Sequence, residues 1–151
     1  MSDPGLKESD QRDADDDLRR RRHMRLGWWG LFAWLSAGLL LEALHGFKVS
    51  AYLDVESETR RFMWRLAHAH GVGLALVNLA FAEAVQRLRA SARRRDVASS
   101  CLVVGSLLVP LGFLGGGVSA QGGDPGLLVL LVPLGGGLLL LSVLLTALGL
   151  R

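Results

Sequence analysis

The chain has 151 residues, a formal net charge of +3 and a hydrophobic fraction of 50%. Charge is segregated along it: from Val97 to Leu150 the only charged side chain is Asp124. Such a stretch cannot make a water-facing surface but can face lipid, which excludes an ordinary soluble domain, and the short basic runs without interleaved aromatics exclude a nucleic-acid binder.

Residues 1–18 are acidic and polar, with Asp3, Glu8, Asp10, Asp13, Asp15, Asp16 and Asp17. They bury too little apolar area to offset ordering entropy, so the composition predicts disorder. A basic block follows at Arg19, Arg20, Arg21, Arg22, His23 and Arg25. Residues 1–25 therefore read as a disordered tail.

The first apolar span runs from Leu26 to Gly46. As a helix it rises about 32 Å, the thickness of a hydrocarbon core. Trp28 and Trp29 open it, where indoles favour the membrane interface. The span is too long for a signal peptide and no A-x-A site follows, so the expectation is retention rather than cleavage. Residues 47–61 are a polar connection. Asp54 to Glu58 precede Arg60 and Arg61, acids ahead of bases, which predicts a helix starting near Asp54 with a Glu56–Arg60 pair.

The second span covers residues 62–85, the third 97–114 and the fourth 127–150, the last two joined by the glycine-rich segment Gly115 to Gly126. The string Leu107-Leu108-Val109-Pro110-Leu111-Gly112 is echoed by Leu130-Leu131-Val132-Pro133-Leu134-Gly135, and each proline removes a backbone donor and can kink its helix. The fold expected is all-α: an integral membrane, up-and-down four-helix bundle. Arginines before span one and between spans two and three mark the cytoplasmic side, which puts both ends in the cytoplasm. Composition rich in arginine, leucine, alanine and glycine points to a bacterial inner membrane.

Ionisable groups within a span are costly in lipid and mark candidate sites. Span one carries Glu42 and His45; span two carries His68, His70, Asn78 and Glu83. An antiparallel hairpin brings Glu42, His45, His68 and His70 to one end. At 100° per residue Gly38, Glu42 and His45 share a face, and Trp64, His68, Gly71, Ala75, Asn78 and Ala82 form a small, polar stripe suited to close helix contact. His70 points about 100° away from Gly71 and ranks below His68. Glu83 is expected to pair with Arg87 at i, i+4.

Three readings of this cluster follow. In the first, the chain is a structural or accessory membrane component, and Glu42 accepts from His68 or neutralises Arg65 to fix helix register. In the second, Glu42, His45 and His68 hold a single transition-metal ion, or His45 with His68 or His70 binds a haem b. The string His68-Ala69-His70-Gly71 resembles the histidine pairs of haem-containing membrane proteins over those four residues. A third reading is a small transporter that oligomerises. A di-iron site would need two Glu-x-x-His motifs, and this chain has one. No nucleophile elbow, HExxH or triad is present, which speaks against a hydrolytic enzyme. Cys101 has no cysteine partner and reads as a small packing residue. Expected partners are the lipid bilayer, other membrane proteins and further copies of the chain through the glycine-rich third and fourth spans.

Overall fold

A computed structural model describes residues 4–53 and 58–150, with side chains from residue 10 onward except that of residue 51. It contains α1 (Pro4–Gly46), a one-turn α2 (Ser50–Leu53), α3 (Glu58–Ala84) extended by a 3-10 turn, α4 (Ala92–Val118) and α5 (Leu131–Gly149), the last preceded by a 3-10 turn at Leu127–Leu130. The architecture is an all-helical four-helix bundle of α1, α3, α4 and α5. All four helices are long and apolar enough to cross a membrane.

Each long helix packs chiefly on its neighbour in the chain: α1 on α3, α3 on α4, α4 on α5. Cross-links at the ends fix the antiparallel order. The Arg89 amide, between α3 and α4, donates to the Gly149 carbonyl at the end of α5 (2.8 Å). At the far end the Thr59 hydroxyl, at the start of α3, donates to the Gly123 carbonyl between α4 and α5 (2.7 Å). One end of the bundle thus gathers the arginines of α1 and of the α3–α4 connection, and is called here the basic end.

The stripe of small residues on α3 is its packed face: Ala67, Gly71, Ala75, Asn78 and Ala82 are buried together with Met63 and Phe81. The α4–α5 crossing is equally close. A Cβ at Gly105 would lie 2.9 Å from the Gly135 carbonyl oxygen, so backbone meets backbone there. Phe81, Val85, Leu88, Ala98 and Leu102 form the apolar core, at the basic end. Many large apolar side chains point outward; Leu39, Leu127 and Leu140 are each more than 70% exposed. This is the inverse of a water-soluble bundle and suits lipid.

Three expectations are corrected. The acidic segment is not disordered where it is described: α1 starts at Pro4 and runs unbroken for 43 residues, about 64 Å. Within it Asp16 is buried against Arg95 of α4. Glu83 pairs with Arg20 of α1 (3.2 Å), not with Arg87, because α1 runs alongside the end of α3 and offers a cation across the interface. Pro110 lies inside α4, but Pro133 falls in the first turn of α5, where a missing amide costs nothing. The Asp54 helix start and the Glu56–Arg60 pair lie outside the described residues; the described part of α3 begins at Glu58.

The α4–α5 connection closes with a tight turn in which Gln121 and Asp124 exchange backbone hydrogen bonds (3.1 and 3.0 Å). Gly122 and Gly123 take φ of +59° and +90°. The second value is open only to glycine, so Gly123→Ala should lower stability by about 1 kcal/mol in a thermal melt, while Gly122→Asn should be tolerated.

Candidate functional site

Two polar sites lie at opposite ends of the bundle. The first is the one that sequence patterning singles out. Where the last turns of α1 diverge from the start of α3, a cavity of about 720 Å³ opens, lined by Leu35, Gly38, Leu39, Leu41, Glu42, His45, Tyr52, Arg65 and His68. Gly38 lets the His68 ring lie directly against α1: a Cβ there would overlap the ring. Tyr52, from α2, is buried and stacks on Trp64 at 6.3 Å between ring centroids, forming one wall.

Glu42, His45 and His68 therefore do share a cavity, as their helical spacing predicts. They do not form the expected clamp. The His68 ring sits 2.7 Å from the Trp34 carbonyl, so its Nδ1–H donates to the backbone of α1 rather than to Glu42. The side chains of Glu42, His45 and Arg65 have no hydrogen-bond or ion-pair partner among the described residues. Glu42 and His45 are exposed. His70 leaves the group altogether: its Nδ1–H donates to the Leu66 carbonyl (2.8 Å), and its ring lies against Phe113 of α4 at 4.9 Å.

A metal ion fits this donor set poorly. Among the described residues no three His, Cys, Asp or Glu side chains come close enough to hold one. A haem held between His45 and His70 is disfavoured, because His70 turns toward Phe113 of α4 and does not line the cavity that holds His45. The His45–His68 pairing retains the shared cavity and one further feature: with Nδ1–H held by the Trp34 carbonyl, the Nε2 of neutral His68 is the nitrogen left with a lone pair.

The second site is interior and was not anticipated. Near the basic end, His23 is fully buried. Its Nδ1 lies 2.7 Å from Asn78 Oδ1 on α3, and its Nε2 lies 2.8 Å from the Ser99 hydroxyl on α4. Asn78 spends its amide on the Leu74 carbonyl and on Ser106 (both 2.9 Å), which leaves its oxygen to accept from His23. The ring also packs on Phe81 at 4.5 Å. One side chain of α1 thus ties together α1, α3 and α4. A turn or two nearer the tail, Asp16 bridges Arg95 (2.9 Å) and Arg19 (2.8 Å), and Arg19 also reaches Asp96 (2.7 Å). Gln86 donates to Asp17 (2.9 Å) at the rim.

Asp16, Arg19, Arg20 and His23 follow i, i+3, i+4, i+7 spacing, so they occupy one face of α1. That periodicity was the available signal, hidden inside what otherwise reads as an acidic run followed by a basic run. The arrangement can hold helices in register and satisfy buried polar groups; no nucleophile–base pair is formed within it.

No family model matches the chain, and neither the curated proteins nor the solved structures yield a match.

Proposed function

We propose that this chain is a small bacterial inner-membrane protein with a structural or accessory role, both ends cytoplasmic, that presents a rigid helical surface to lipid and to other membrane proteins. The observation that carries the reading is the use of the interior polar groups. His23, Asn78, Ser99 and Ser106 bond to one another across three helices, and His68 bonds to a backbone carbonyl of the facing helix. Such groups act as interhelical glue, each bond contributing on the order of 1 kcal/mol within a membrane. The orientation is supported by the two arginine-rich segments lying at the same end of the bundle.

A second reading, cofactor binding at His45 and His68, draws on the lone pair left on His68 Nε2 and on the shared cavity. One experiment separates them. The protein purified from membranes in mild detergent should be colourless, without stoichiometric metal, and His68→Ala should lower its melting stability by about 1 kcal/mol with no spectral change. A Soret band, or a bound metal lost in both His45→Ala and His68→Ala, would overturn the accessory reading in favour of the second.

A further inference from the structure

We propose that the cavity between α1 and α3 is a binding site for a phospholipid whose headgroup carries both a phosphate and a primary ammonium. This goes beyond the accessory role and does not depend on it.

The cavity has the volume of a ligand pocket, about 720 Å³ against roughly 300–1,000 Å³ for typical sites. Its lining is divided by chemistry. Leu35, Leu39 and Leu41 supply an apolar wall on α1, and Leu35 and Leu39 continue it onto the outer surface at 52% and 73% exposure. An acyl chain can follow that wall out of the cavity into the surrounding lipid. Polar groups gather toward the bundle end: Glu42 and His45 from the last turns of α1, Arg65 and His68 from the first turns of α3. An apolar track that ends in charged groups at the edge of a span is the polarity of a membrane amphiphile.

The charges choose among headgroups. Glu42 and Arg65 line the same space without pairing with each other. Neither charge has a partner among the described residues, so a ligand can meet both. A guanidinium recognises phosphate with charge-assisted hydrogen bonds, and a carboxylate recognises an ammonium that still has N–H donors. A purely anionic headgroup would satisfy Arg65 but set a second negative charge beside Glu42. A trimethylammonium headgroup has no N–H to give to Glu42. The aminophosphate zwitterion alone meets both residues.

The test uses the full-length protein in detergent micelles, offered equal amounts of dioleoyl phosphatidylethanolamine, phosphatidylcholine and phosphatidylglycerol, with bound lipid counted by native mass spectrometry. The ethanolamine lipid should be retained about tenfold over each of the others, the worth of one charge-assisted bond. Glu42→Gln should erase the preference over phosphatidylcholine, and Arg65→Gln should lower retention of all three. Unchanged melting curves identify both variants as folded; if either unfolds, the wild-type preference decides alone. Equal retention of the three lipids by wild type, a preference for phosphatidylglycerol, or full discrimination in a folded Glu42→Gln variant would each overturn the site.

Discussion

Asp16→Ala should destabilise the bundle by about 3 kcal/mol, the largest loss expected of any single polar substitution in the chain. The carboxylate is buried between Arg95 and Arg19. Removing it leaves Arg95, whose side chain is 3% exposed, with a desolvated charge and no acidic partner. Arg19 keeps its second carboxylate, Asp96, so the damage falls on Arg95. Arg95 is already short of partners: its Nε has none among the described residues. The pair should be replaceable as a unit. Asp16→Leu combined with Arg95→Met removes both charges and should recover most of the loss, because the cost lies in stranding one ion rather than in losing the attraction. Chemical denaturation in detergent micelles, followed by tryptophan fluorescence, measures both. A double variant as unstable as Asp16→Ala would show that the pair itself holds the helix.

The second large effect is steric. Gly71→Val should weaken α1–α3 packing by about 2–3 kcal/mol. A Cβ at Gly71 would overlap the indole of Trp34, a rigid group with no flexible end to move aside. The substitution also drives apart the partners of the bond from His68 to the Trp34 carbonyl (2.7 Å). Trp34→Leu in the same chain should recover part of the loss by vacating the space above residue 71. The size of that recovery in a double-mutant cycle reports how directly the two residues touch. At Gly73, where a Cβ meets nothing, Gly73→Ala should leave stability within about 0.5 kcal/mol of wild type.

The four long apolar helices were legible because an apolar stretch as long as a bilayer core is thick is a simple signal. Residues 97–114 and 127–150 carry it with almost no polar interruption; α4 contains the first with about a turn to spare at each end, and the second is divided between the 3-10 turn Leu127–Leu130 and α5. The packed face of α3 was legible for a related reason. Close approach of two helices demands small residues at helical spacing, and Ala67, Gly71 and Ala75 are just that. The depth coincidence of Glu42, His45 and His68 followed from counting residues along an antiparallel hairpin.

What could not be read was register between helices distant in sequence. Disorder was inferred for residues 1–18 from composition, which treats charges as solvated; it could not see that Asp16 and Arg95, 79 residues apart, neutralise each other. The same blindness hid His23, whose neighbours Arg22 and Met24 lie on other faces of the helix. It also misassigned Glu83, whose cation comes from α1 rather than from the next turn of α3. The clamp expected between Glu42 and His68 failed for a local reason. His68 reaches the Trp34 carbonyl of α1, about two turns short of the Glu42 carboxylate along that helix.

If these four helices thread a bilayer in alternating directions, the basic end and the α4–α5 turn face opposite compartments. Single cysteines placed in a Cys101→Ser background test it directly, as Asp10→Cys, Ser91→Cys and Asp124→Cys, each exposed to a membrane-impermeant maleimide. In intact spheroplasts only Asp124→Cys should label, and the other two should label after permeabilisation. Equal labelling of all three before permeabilisation would contradict the account.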